Sequence, residues 1–315
     1  MKKLIVILCF SSLIVSMSCK KNIEKEGYVN VEGGKIWYKI VGDRKGTPLL
    51  ILHGGPGSRS CAMIPGYSLM KSERPIIFYD QLGSGNSDRP TDLSLWSIER
   101  FVNEIDYLRE ALDLKELHIL GHSCGSTFLS EYLITKKPKG VKSVIFSRPH
   151  LSSPDWNNDA KILLSHMSQS IQDTIAKYEA AKNYTAPAFL AAADSFYVKH
   201  LSRKSWPYIP NIECDNVPDF NEQVYNYMWG PTEFKITGIL KDFDRTPDFK
   251  NIKEPILFIA GEYDEARPET IYKFQKLSNN SSVEIIDDAA HMTMIDQPEK
   301  VAEAISRFLK KVENG

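Results

Sequence analysis

Cysteine is scarce in this chain: there are five in 315 residues, and none form a Cys-x-x-Cys pair or a His/Cys cluster. That excludes a zinc ribbon and a dithiol redox motif. An excess of one charge is also missing. Lys and Arg number 39 against 40 Asp and Glu, and the two signs are mixed along the chain. Neither a nucleic-acid face nor a polybasic membrane patch is therefore expected. There is no internal repeat and no low-complexity run. The apolar stretch at residues 4–15 falls short of the roughly 20 residues that span a bilayer comfortably.

What is present is a globular composition, 42% hydrophobic and 25% charged, with enough apolar residues for one large core carrying an insertion. The N-terminus stands apart. Lys2 and Lys3 precede the apolar stretch, and small residues lead to Cys19. A basic start, a short apolar middle and a small-residue exit are the layout of an export signal. Ending on a cysteine, the segment resembles a bacterial lipoprotein box, in which Cys19 would carry the lipid. The match is loose, since Ser16 stands where Leu is usual. Plain secretion and an uncleaved or cytoplasmic form are the alternatives. Beyond the signal three cysteines remain, Cys61, Cys124 and Cys214. Three unpaired buried thiols is the expectation, and Cys61–Cys214 is the one pairing that would spare the turn around Ser123.

Residues 1–18 are thus read as a signal and 19–26 as a polar tether. "YVNVEGGKIWYKIVG" alternates around Gly33-Gly34, as a β-hairpin does. "PLLILHGGPG" and "PIIFYDQLGSGNSD" are apolar runs ending in loops. Ile98, Phe101, Val102, Ile105, Leu108 and Leu112 share one helical face. Strands alternating with helices predict an α/β fold, a mostly parallel sheet with helices on both faces. The rhythm breaks after residue 150 and returns near 251. The chain therefore reads as a core, first part 27–150 and second part 251–315, split by an aromatic-rich helical cap at 151–250.

The chemistry begins at "LHILGHSCGS", an apolar strand running into a glycine-flanked serine and a helix. A serine hydroxyl needs a base within hydrogen-bond reach, and the base needs an orienting carboxylate. In α/β-hydrolase folds these occur in the order serine, acid, histidine, each after a strand. Ser123, Asp264 after "PILFIAGEY" and His291 after "VEIIDDAA" match that order. Among the other histidines, His53 reads as structural, and His122 is expected to point away from the nucleophile it precedes. Asp287, Asp288, Glu262 and Glu265 are the neighbouring rivals of Asp264. Donors for a developing oxyanion are expected from the Gly55 and Cys124 amides, in "HGGPG" and after the serine. A plain tight turn is the other reading of the glycines. No metal and no organic cofactor is called for.

"HGGPG", "YDQLGSGNSD", "GHSCGS", "GPTEF", "GEYDEARP" and "HMTMID" together resemble the prolyl aminopeptidases (proline iminopeptidases), serine peptidases of the α/β-hydrolase superfamily. The likeness runs over most of residues 27–310. It implies the Ser123–Asp264–His291 triad and release of an N-terminal residue, preferably proline, from short peptides with a free N-terminus. It also implies an amine site built from Glu233, Glu265 and Tyr225. The family usually has an aromatic after the serine and Gly-Gly beyond, where this chain has Cys124 and Gly125-Ser126. That departure bears on the shape of the first pocket. An esterase or amidase acting on small acyl compounds is the alternative, and a non-catalytic binding lipoprotein the remote one. Contact with a membrane is expected only through the lipid on Cys19, in the periplasm or at the outer membrane.

Overall fold

The computed structural model describes residues 23–43, 45–204 and 214–315. The signal segment and Cys19 lie outside the described residues. The strands are β1 (Ile23–Val31), β2 (Gly34–Gly42), β3 (Leu49–Leu52), β4 (Ile76–Tyr79), β5 (Leu117–His122), β6 (Val141–Ser147), β7 (Ile256–Gly261) and β8 (Ser281–Ile286). The helices are α1 (Ile64–Tyr67), α2 (Ile98–Ala111), α3 (Cys124–Glu131), α4 (Ser153–Ser165), α5 (Gln169–Ala180) and α6 (Pro187–His200), then α7 (Glu222–Met228), α8 (Pro268–Gln275), α9 (Thr293–Asp296) and α10 (Pro298–Asn314).

One sheet runs β1-β2-β4-β3-β5-β6-β7-β8. β1, β2 and β4 pair antiparallel, and every other neighbouring pair is parallel. The inner strands are continuous apolar runs because both faces are covered: β3, β4, β5 and β7 are buried at every position. β8, at the edge, is only partly buried. The hairpin reads as expected from Gly33-Gly34, but β1 begins at Ile23, inside the stretch read as a tether.

Helix α2 starts at Ser97, whose hydroxyl accepts the Arg100 amide at 3.3 Å, a side-chain cap. It buries Phe101, Val102, Ile105 and Leu108 against one face of the sheet, with α3 and α8 beside it. Helices α1 and α10 cover the other face, where Val301, Ile305 and Leu309 are buried. Among the described residues no helix is long and apolar enough to cross a membrane.

Between β6 and β7 the described chain holds helices and one isolated bridge, Ser152 to Asp244. This cap divides in two. Leu163, Ile175, Phe189, Phe196 and Phe234 form a small core of their own. Trp156, Val224, Met228, Trp229 and Phe243 instead join the main core. Three sets of bonds then hold the cap to the sheet. The His291 and Met292 amides donate to the His200 and Leu201 carbonyls at 3.1 and 2.7 Å. The buried Asp296 carboxylate accepts from Ser202, Arg203 and Lys204 of the cap and from Ala290 of the core. The Asn221 amide and side chain donate to the Gly57 and Gly83 carbonyls, both at 2.8 Å.

The expectation of three free thiols fails: Cys61 and Cys214 form a disulfide across 153 residues, their Cα atoms 5.3 Å apart. Cys61 follows the glycine loop and Cys214 belongs to the cap, so the bond staples cap to core. Neither sequence position signals that proximity. Cys124 remains a free, buried thiol.

Candidate active site

β5 delivers Ser123 and α3 starts directly behind it. The turn between them is so tight that Ser123 takes φ 51°, ψ −124°, a region that costs a non-glycine residue about 1–3 kcal/mol. Surrounding contacts hold it: the Ser123 amide donates to Ser147 O at 2.9 Å, and its carbonyl accepts the Ser126 amide at 2.9 Å. The flanking glycines are required by crowding. A Cβ on Gly125 would lie 2.5 Å from the Leu52 carbonyl oxygen, and one on Gly54 would lie 2.8 Å from the Ser123 Cβ. Only bare backbone lets the glycine loop, β3 and α3 meet at the serine.

His291 sits in the loop after β8 and Asp264 in the loop after β7. The Nδ1 of His291 lies 2.8 Å from Asp264 Oδ1. The same carboxylate accepts the Ala266 amide at 2.9 Å and the Gly261 amide at 3.1 Å. Two backbone donors and an imidazole keep Asp264 in one orientation, and both side chains are almost fully buried. The rivals fall elsewhere. Asp287 pairs with Lys300 on the surface, and Glu262 accepts the Asp288 amide. With Nδ1 donating to Asp264, the lone pair of His291 is on Nε2.

Ser123, His291, Gly54, Gly55 and His122 line a cavity of about 560 Å³ whose wall also includes Glu233, Glu265, Tyr225 and Tyr197. Glu265 directly follows Asp264, and its Oε1 lies 3.7 Å from His291 Nε2. Glu233 comes from the cap, held by the Tyr225 hydroxyl, which donates to its Oε1. The Trp156 indole donates to the Glu233 carbonyl at 3.2 Å. Among the described residues neither carboxylate has a lysine or arginine partner. Burial pushes the Glu233 carboxyl up to about 7. Burial also raises Glu265 well above the usual carboxylate range, helped by the negative charges of Glu233 and Asp264. A pair like this keeps a proton unless a cation arrives. Among the described residues no group of three or more His, Cys, Asp or Glu side chains is arranged to hold a metal ion.

Residues 47–298 match the model of the alpha/beta hydrolase fold family. The chain is 41% identical over 292 residues to a proline iminopeptidase of Heyndrickxia coagulans, covering 91% of this chain and 99% of that protein. It is 33% identical to a Clostridium botulinum proline iminopeptidase, over 91% and 98% of the two. A crystal structure of the Mycobacterium smegmatis proline iminopeptidase superposes with a TM-score of 0.81 at 27% identity, covering 91% and 98%. The chain belongs to the proline iminopeptidase family of α/β-hydrolases. It is a serine hydrolase.

Two positions depart from the pattern that the resemblance implies. The position after the serine, where an aromatic is expected, is Cys124, which is wholly buried among core residues. Burial pushes its thiol up to about 12, so it stays neutral. Its amide is the first of α3, where helix N–H groups lack intrahelical partners. Gly55 lies across the cavity at φ 107°. Ser126, in place of the second glycine, turns its hydroxyl onto Gly121 O at 2.7 Å.

His53 is structural, as expected: the Gln81 amide donates to its Nε2 at 3.0 Å and its Nδ1 reaches Gly54 O at 2.7 Å. His122 corrects the reading that it points away. Its ring lines the same cavity and lies 5.2 Å from the His291 ring. Sequence reasoning also missed Trp156, whose ring meets His291 edge-on at 5.7 Å. Arg148 was missed as well; a charged residue directly beyond a strand end was the available signal.

The raised carboxylates carry a stability cost with a definite sign. A folded-state value above the unfolded one means the native protein holds more protons, so stability falls as pH rises from the ordinary carboxylate range through about 7. Glu233→Gln is expected to unfold later than wild type in urea at pH 8, by roughly 1–2 kcal/mol. That gain should vanish below pH 4, under the ordinary carboxylate value, and remain partial at pH 5. A variant that is less stable at both pH 8 and pH 5 would contradict it.

Proposed function

We propose that this chain is a serine exopeptidase that releases N-terminal proline from peptides through an acyl-enzyme. The observation that carries the reading is a pair of carboxylates that, among the described residues, have no lysine or arginine partner, in the cavity that also holds Ser123. The names of its relatives point to the same substrate.

In this mechanism the substrate's charged amine comes between Glu233 and Glu265, and the proton that burial holds on the pair passes to water. A prolyl terminus carries two N–H bonds on its charged nitrogen, one for each carboxylate, in charge-assisted hydrogen bonds. The 3.7 Å between Glu265 and His291 Nε2 favours cleavage after the first residue. An amine anchored there is only two bonds from its own carbonyl carbon, which comes next to Ser123. Ser123 Oγ attacks that carbon and His291 Nε2 takes the hydroxyl proton. Asp264 keeps the imidazole oriented and offsets its charge. The Gly55 and Cys124 amides face the oxyanion. His291 then gives the proton to the departing amine. A water, deprotonated by the same imidazole, releases the proline.

Two variants test this reading. Ser123→Ala should bind a prolyl substrate but lose turnover by at least about 10³-fold and lose labelling by a fluorophosphonate probe. Glu233→Gln should lower kcat/KM for a free prolyl amide by roughly 10²-fold while changing p-nitrophenyl acetate hydrolysis only a few-fold. An equal loss on both substrates would make Glu233 structural and favour the esterase reading.

Export as a lipoprotein anchored at Cys19 completes the proposal. The Cys61–Cys214 disulfide supports it, because such bonds persist in oxidising compartments. Cells given labelled palmitate should mark the wild-type protein and leave Cys19→Ala unmarked. An unmarked wild type would refute the anchor.

A further inference from the structure

Arg148 directly follows β6, with 0% exposure and φ 52°. A wholly buried guanidinium is expensive unless an anion pairs with it. Among the described residues no carboxylate does. Instead its Nε and Nη2 converge on one atom, His122 Nδ1, at 3.2 and 2.8 Å. Nη2 also donates to the Tyr67 hydroxyl at 3.1 Å. Nη1 is sealed with no bond among the described residues.

Guanidinium has only donors and does not lose its proton in a protein. The Nδ1 of His122 must therefore offer its lone pair, and the ring's single proton is on Nε2. His122 lines the cavity beside Gly54, where a Cβ would lie 3.2 Å from His122 Cδ2, the atom next to Nε2. The ring lines the cavity wall and packs against His291.

We propose that Arg148 is a positioning residue that locks His122 as a neutral Nε2–H donor on the cavity wall, so that no cation forms there to repel a substrate ammonium. The repulsion half rests on the aminopeptidase reading, while the lock itself does not. Most of the surroundings favour the neutral ring. Burial, Arg148 after β6, His291 after β8 and His53 after β3 all hold the ring well below its ordinary value, while the backbone of Ser147 pulls the other way. Tyr67, from α1, faces the guanidinium and not the ring.

The test uses the full-length protein and its Arg148→Met, Arg148→Lys and Arg148→Met/His122→Gln variants. Nitrogen-15 NMR of the histidine rings, assigned with His122→Gln, reads the protonation state directly. Wild-type His122 should stay neutral with the proton on Nε2 from pH 5 to 8. It should become protonated at the acid end in Arg148→Met. Arg148→Lys, which keeps a donor, should restore much of the lock. At pH 6, Arg148→Met should raise KM for prolyl β-naphthylamide roughly fivefold and leave p-nitrophenyl acetate unaffected. The double variant, with no histidine to charge, should lose that rise. A charged or Nδ1-protonated His122 in wild type would overturn the lock without any need for a folded variant. So would a His122 that stays neutral in a folded Arg148→Met. An equal KM rise on both substrates would overturn the repulsion half. If wild type ignores the prolyl substrate altogether, the aminopeptidase reading falls, and the NMR result still decides the lock.

Discussion

Two carboxylates in one cavity, Glu265 buried and Glu233 half-buried, with no lysine or arginine partner among the described residues, set the terms for the rest of this structure. Left to themselves, Glu233 and Glu265 would turn to solvent or separate, since each raises the other's cost of ionising. They come from different parts of the chain, one from the cap and one from the loop after β7. Keeping them together therefore requires the cap to be fixed on the sheet. The bonds around Asp296, the backbone contacts of His291 and Met292 with the cap, the Asn221 clamp and the Cys61–Cys214 staple meet that requirement. Only a rigid frame can keep carboxylates from separate parts of the chain in one cavity, whose wall also carries Arg59, paired with Asp219 at 3.2 Å.

The sheet supplies the other half. Parallel strands end on one side, and each functional side chain leaves from a strand end: Ser123 after β5, Asp264 and Glu265 after β7, His291 after β8. The glycine loop after β3 closes the ring. Its approach to Ser123 leaves no room for a side chain at Gly54. Strain at Ser123 and repulsion between carboxylates are thus stored at one point and balanced by a core of fully buried strands, the pattern expected where stability is traded for chemistry.

Much of this was legible in the sequence. Unbroken apolar runs marked the strands buried on both faces, and a 3.6-residue period marked α2. The order of Ser123, Asp264 and His291, each just beyond a strand, was readable because a strand end is a fixed place in a parallel sheet. Asp264 was separable from Asp287 and Asp288 only by the same logic, and the 2.8 Å contact with His291 agrees. What stayed hidden depends on contacts between distant segments. The Cys61–Cys214 pairing needs the cap's position, which no local pattern encodes. His122 was judged by the alternation of side chains on a turn, but the strained backbone at Ser123 breaks that alternation. The start of β1 was obscured because "IEKE" looks like a solvated tether, although as an outer strand it needs few apolar residues.

The central claim is that one cavity reads a charged amine and attacks the neighbouring carbonyl. The most direct measurement compares hydrolysis of prolyl β-naphthylamide with that of its N-acetylated form, at pH 7.5 and equal concentration. Acetylation removes the charge and leaves the scissile bond intact. The account predicts rapid cleavage of the free compound and at least about 10³-fold slower cleavage of the acetylated one. Comparable rates on the two would contradict it, because the carboxylates would then play no part in choosing the substrate.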